Sequence, residues 1–239
     1  MAQTKIRKIF ETLSNAKLTL LLLFLLILLF LKPLMVGHSL EPYIMVVLFV
    51  GILMFMLEIM NVKIVYKGRY IIIGIALTVA LLAMTFSTSL KVFLTGYVLL
   101  FVFLIMSVIA VLSSILSEDQ VKKNEIHGAV SVFILMGLTW GFLYAGIEFL
   151  IPGSFSGLEI KEGAFIEERK YLTINTLIYY SFVTITTLGY GDIVPVSMGA
   201  RWFSILEALT GQLFLIVIVA RLVGREISQK GQGGISPLS

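Results

Sequence analysis

The sequence has no cysteine. Disulfides, thiolate metal sites and cysteine nucleophiles are thereby excluded, while the absence fits any compartment. Charge is also scarce. Only 13% of the 239 residues are Asp, Glu, Lys or Arg, against about 25% in a soluble domain, which is too little polar surface to coat a globule in water. What fills the chain is apolar: 59% hydrophobic residues and a mean hydropathy of +1.03. Its length is therefore best counted in membrane spans, each needing ~20 apolar residues.

Six apolar segments, at 18–36, 43–60, 70–86, 92–116, 130–151 and 201–223, are long enough to cross as helices. The basic stretch before the first has the form of a signal-peptide start. The run that follows is nearer the length of a span, and no small-residue cleavage site ends it. A seventh apolar piece, 171–185, is too short and too rich in Thr and Ser to span, and reads as a re-entrant element. With the amino terminus in the cytoplasm, 12 of the 18 Lys and Arg fall on the inner side, as the positive-inside bias requires. Both termini are then cytoplasmic, and the re-entrant element lies on the outer face. The predicted organisation is a four-helix peripheral module (1–116), a cytoplasmic linker (117–129), a two-helix module around the re-entrant element (130–226) and a flexible Gly- and Ser-rich tail (227–239). His38 and His127 are expected in loops on opposite sides of the membrane, so they share no metal site. No nucleophile–base–acid set and no nucleotide-binding glycine motif is present. No enzyme activity, organic cofactor or nucleic-acid partner is expected.

The segment that carries chemistry is Thr184-Ile185-Thr186-Thr187-Leu188-Gly189-Tyr190-Gly191-Asp192. Its glycines allow positive φ angles that other residues resist, so successive carbonyls can turn toward one axis. Non-helical backbone at membrane depth is tolerated only where it is buried in protein or lines a water-filled path. Four such loops around one axis would build rings of oxygens able to replace the hydration shell of a cation.

At this point the chain resembles the potassium-channel pore family, over about 130–226. Thr187-Leu188-Gly189-Tyr190-Gly191 stands where that family carries Thr-Val-Gly-Tyr-Gly. Pro152-Gly153-Ser154-Phe155, Tyr179-Tyr180-Ser181, Asp192, Pro195, Gly211 and Arg221-Leu222-Val223-Gly224-Arg225-Glu226 extend the likeness. The resemblance implies an all-α membrane protein of six transmembrane helices plus a re-entrant pore helix and selectivity filter, assembling as a homotetramer among membrane lipids. It implies potassium ions in the filter, held by the carbonyls of Thr187, Leu188, Gly189 and Tyr190 and by the Thr187 hydroxyl. Val183, Thr184, Thr186, Gly191 and Asp192 would support the filter, with Tyr190 braced against Tyr179 or Tyr180. Val183 replaces a Glu that pairs with this Asp in some members, so that pair is absent here.

Gly211 is a candidate hinge or a close-packing glycine. Gln212, Leu215, Ile216 and Val219 are cavity candidates from helical spacing. Glu207, a carboxylate in an apolar helix, is expensive at membrane depth; it is expected to face the pore helix and bond a group near Thr184 or Thr186, with a cavity-lining charge as the sharper alternative. The fourth segment, 92–116, contains no Lys or Arg. A voltage sensor needs several, so weak voltage dependence is expected. A non-selective cation channel, a transporter subunit and a non-conducting membrane protein are the rival readings. The character of the spans suggests a prokaryotic plasma membrane.

Overall fold

The computed structural model describes residues 17–35, 44, 47, 49–52, 77–79, 89–117, 123–158 and 166–233. Its elements are helices α1 (Lys17–Met35), α2 (Leu90–Ser117) and α3 (Lys123–Leu150), strand β1 (Phe155–Ser156), helix α4 (Ile166–Ile185), strand β2 (Val194–Pro195) and helix α5 (Met198–Gly233). Three stretches, Lys91–Leu116, Ile126–Leu150 and Met198–Arg221, are long and apolar enough to cross a membrane. They correspond to the fourth, fifth and sixth apolar segments. The first segment falls on α1. The segments at 43–60 and 70–86, His38, the linker residues 118–122 and the loop 159–165 lie largely or wholly outside the described residues.

Two boundaries differ from the sequence reading. Helix α3 begins at Lys123, so His127 is helical and not in a loop. Its ring Nδ1 lies 2.7 Å from the Thr19 hydroxyl, and the next two residues, Gly128 and Ala129, are buried. Packing draws this turn into the helix. At the other end α5 continues to Gly233, through the first residues of the expected tail.

The chain divides into two compact units. The first comprises residues 1–118 and 122–135. In it α1, α2 and the start of α3 bury Leu21, Leu25, Leu104, Val111, Ile115 and Val132.

The second unit comprises 119–121 and 136–239 and contains the rest of α3, the short α4 and the long α5. Helix α3 stops just before Pro152, whose ring cannot extend it. Along α4, Thr173, Ile174, Leu177, Ile178, Ser181 and Ile185 are buried, which is one face of a helix. Ser197 precedes α5 and accepts the Ala200 amide at 3.3 Å, an N-cap that satisfies an otherwise orphaned donor. Only a narrow stripe of α5 is buried, through Ala200, Glu207, Gly211 and Ile218. Large apolar side chains such as Trp202, Leu213, Ile216 and Val217 stand exposed in the single chain, as a helix apolar on all sides does when built for lipid or further protein.

The strands form an antiparallel ribbon, Phe155 opposite Pro195 and Ser156 opposite Val194. The amides of Val196 and Ser197 extend it by donating to the Ser154 carbonyl at 2.8 and 3.2 Å. The segment after the Gly-Tyr-Gly motif is thus tied to the turn after α3.

Candidate functional site

Beyond Ile185 the backbone folds back on the end of α4. The Thr187 amide donates to the Thr184 carbonyl at 2.9 Å, and the amides of Leu188 and Gly189 both donate to the Val183 carbonyl, at 2.9 and 3.2 Å. In a trans peptide the N–H and the C=O point in opposite directions. With the Leu188 and Gly189 amides turned toward α4, the carbonyls of Thr187 and Leu188 point away from it.

The φ angles are +61° at Thr187, +61° at Gly189 and +79° at Gly191. Leu188 and Tyr190 between them are not in that region, so the handedness alternates residue by residue. Such alternation brings successive main-chain groups of one kind to the same side. Glycine adopts the left-handed region without penalty. Thr187 is the one non-glycine there among the described residues, at an ordinary cost of about 1–2 kcal/mol. Leu188 is 55% and Tyr190 66% exposed, so this segment has one side against α4 and one side uncovered.

The hydroxyl of each tyrosine at the end of α4 has a partner, and Tyr179 also interacts with Tyr190. The Tyr179 hydroxyl donates to Asp192 Oδ2 at 2.7 Å. That bond, then desolvation, then the carboxylate charge hold the Tyr179 phenol above its usual range. The Tyr180 hydroxyl lies 2.7 Å from Ser204 Oγ, whose own proton goes to the Ala200 carbonyl. The Tyr180 ring forms a triangle with Tyr144 and Phe155, centroids 5.2–5.4 Å apart and steeply inclined. Edge-to-face pairs of this kind contribute ~0.5–1.5 kcal/mol each beyond their burial. Thr186 bonds back to the Phe182 carbonyl through Oγ1 at 2.6 Å.

Behind this segment Glu207 is fully buried, which takes it off any open pore wall in place of the cavity-lining reading. It does face α4, but its partner there, Ser181, is one turn earlier than Thr184, and its other partner, Tyr144, stands on α3. The Tyr144 hydroxyl donates to Oε2 at 2.6 Å, and the Ser181 hydroxyl lies against Oε1. The crossing of α5 over α4 sets which turn is met, and no local pattern reveals that. One turn further along α5, Gly211 packs on the end of α4: a Cβ there would lie 2.6 Å from Ile185 Cγ1 and 2.9 Å from its carbonyl oxygen. Gln212, Leu215, Ile216 and Val219 are exposed and share that uncovered surface with Leu213 and Val217.

Sequence reasoning missed Tyr144, Ser181 and Glu148. The Glu148 carboxylate accepts the Gly153 amide at 2.8 Å and the Phe155 amide at 3.1 Å, fixing the turn that carries β1. An acidic residue in the last turn of α3, where the helix dipole disfavours it, was the available signal.

Residues 132–227 match the protein family described as Ion channel. Two curated proteins named Protein LctB, from Bacillus caldotenax and Geobacillus stearothermophilus, are 46% and 48% identical over 46 residues, 19% of this chain and 34% of each relative. Voltage-gated potassium channel Kch of Escherichia coli (strain K12) is 36% identical over 74 residues, 30% of this chain and 17% of the relative. The matched stretches thus cover about a third or less of the curated relatives' length. No solved structure matches. The similarities are to an ion-channel family and, for one relative, to a protein named a potassium channel, and they point to a channel and not to an enzyme.

Proposed function

We propose that this chain is one subunit of a homotetrameric, potassium-selective channel that conducts passively. One chain supplies one filter segment, and a ring of carbonyls requires four. The observation that carries the reading is the backbone of residues 187–191: alternating φ signs, with the Leu188 and Gly189 amides bonded back to Val183. On this reading the carbonyls of Thr187, Leu188, Gly189 and Tyr190 and the Thr187 hydroxyl replace the water shell of potassium. Asp192 closes the outer mouth, and neighbouring copies cover the exposed sides of Leu188 and Tyr190. The carboxy-terminal end of α4 favours a cation through its negative partial charge.

The subunit would have six spans in a plasma membrane, of prokaryotic type, with both termini cytoplasmic. The first four helices would form a peripheral module and 130–226 the pore module. Voltage dependence would be weak, because 92–116 carries no basic residue. Purified full-length chain in potassium-loaded vesicles tests the reading. Potassium efflux, with a native mass of four copies, is the expected result. Folded protein that forms no tetramer, or a tetramer that passes no potassium at any voltage or pH, would overturn it.

A further inference from the structure

The buried cluster behind the filter segment contains one more hydrogen bond than its hydroxyl groups can supply. Three short contacts link its members: Tyr144 Oη to Glu207 Oε2 at 2.6 Å, Ser181 Oγ to Glu207 Oε1, and Ser181 Oγ to the Gly137 carbonyl at 2.7 Å. Tyr144 and Ser181 bring one proton each. The Gly137 carbonyl can only accept, so it takes the Ser181 proton. Tyr144 donates to Oε2. The remaining contact, between Ser181 Oγ and Glu207 Oε1, then holds two bare oxygens unless the carboxyl itself carries a proton. Water cannot supply it: Tyr144, Ser181 and Glu207 each have 0% exposure.

We propose that Glu207 is a neutral carboxylic acid in the folded chain, and that it acts as a positioning residue in a one-way chain of donors, Tyr144 to Glu207 to Ser181 to Gly137. The chain starts and ends on α3 and fastens α5 and α4 to it. The groups facing the carboxyl agree with this. Tyr144 comes from α3 and Ser181 from α4; Tyr180, also on α4, is the other titratable group, beside Tyr144. No Lys, Arg or His faces it among the described residues. An unpaired charge there would be left in the middle of a span, where ionised groups are costly. Ser181 lies two residues before Val183, whose carbonyl holds the Leu188 and Gly189 amides. Loss of the carboxyl proton therefore loosens α4 where it supports the filter.

Infrared spectra of the reconstituted full chain at neutral pH test the proton directly. The wild type should show the carbonyl stretch of a protonated carboxylic acid. Glu207→Gln should lack it, and Ser181→Ala should shift it, because the acceptor Oγ is gone. Should the Gln variant fail to fold, the Ser181→Ala shift alone decides. Spectra with no acid band, or with one that Ser181→Ala leaves in place, overturn the proposal. The consequence for conduction rests on the channel reading. Potassium flux, normalised to its own neutral value, should fall severalfold in the wild type at the pH at which the acid band is lost and stay flat in Glu207→Gln, whose amide repeats the donor and acceptor pattern. Equal decline in both would overturn the positioning role. An acid band in a chain that never conducts would uphold the proton assignment and sink the channel reading.

Discussion

The hydroxyl of Tyr179 donates to Oδ2 of Asp192 at 2.7 Å, so a bond from the end of α4 reaches across to the residue that closes the Gly-Tyr-Gly segment. The start of the segment 187–191 is held by main-chain bonds to Val183, and its end is held by this side-chain bond. Tyr179→Phe removes the bond and little else, since the ring remains. The expected outcome is an intact tetramer whose potassium current decays faster during sustained opening, measured by single-channel recording. Unchanged open times would show that Asp192 is held by other means.

The same bond sets a pH dependence. The Tyr179 phenol is held above its ordinary value of 10.0, chiefly because its protonated form donates to Asp192. A raised value in the folded chain means that the contribution is fully present below the ordinary one. It is lost as pH rises through the raised value. Decay of current in the wild type should therefore be unaffected by Tyr179 ionisation up to about pH 10 and accelerate beyond it. Tyr179→Phe should show no such alkaline limb. Recording in a Glu207→Gln background isolates this limb from the buried carboxyl.

Gly211 allows a sign test. In an ordinary helix interior, Gly→Ala stabilises by up to about 1 kcal/mol. Here the new methyl would meet Ile185 Cγ1 and its carbonyl oxygen, and overpacking of this kind costs about 1–3 kcal/mol. Gly211→Ala should lower the thermal midpoint of the purified protein. Against an Ile185→Ala background the same Gly211→Ala change should cost less, though still something, since the carbonyl clash remains. A raised midpoint in the single variant would favour the hinge role over packing.

Glu148→Ala strips the acceptor from the Gly153 and Phe155 amides. The first is exposed and water can replace the carboxylate; the second is partly buried. The loss should fall near the lower end of the ~1–3 kcal/mol for an unsatisfied buried donor. Amide hydrogen exchange should rise first at Phe155 and then along the ribbon at Val196, whose amide donates to the Ser154 carbonyl. Unaltered exchange there would remove Glu148 from the account.

The segment 92–116 has no Lys or Arg. Each elementary charge moved across the membrane contributes about 2.3 kcal/mol per 100 mV, and α2 carries none beyond Lys91 in its first turn. Conductance–voltage curves should accordingly be shallow, and a steep curve would locate a sensor elsewhere in the chain.

Much of this was legible in the sequence because local rules apply. Helices α2, α3 and α5 follow from apolar runs of span length. The short α4 follows from an apolar run too brief and too hydroxyl-rich to cross, and the left-handed positions 189 and 191 from glycine itself. The remainder depends on contacts between distant residues. Tyr144 and Glu207 are 63 positions apart, and neither announces the other. The strands are two residues long, too short for any alternation to show. The surroundings of His127 in the sequence suggest a loop, but its bond to Thr19, 108 positions away, belongs to a helix turn that only packing explains. Thr187 is the instructive exception. A β-branched residue is a poor choice for positive φ, and only its bond to Thr184 and the folded-back backbone around it account for +61°.

The most direct test of the account is the reversal potential of the reconstituted channel with potassium on one side of the bilayer and sodium on the other. A selective carbonyl filter at 187–190 predicts a reversal potential displaced far toward the potassium equilibrium value. A reversal potential near zero, with sodium and potassium passing alike, would contradict it.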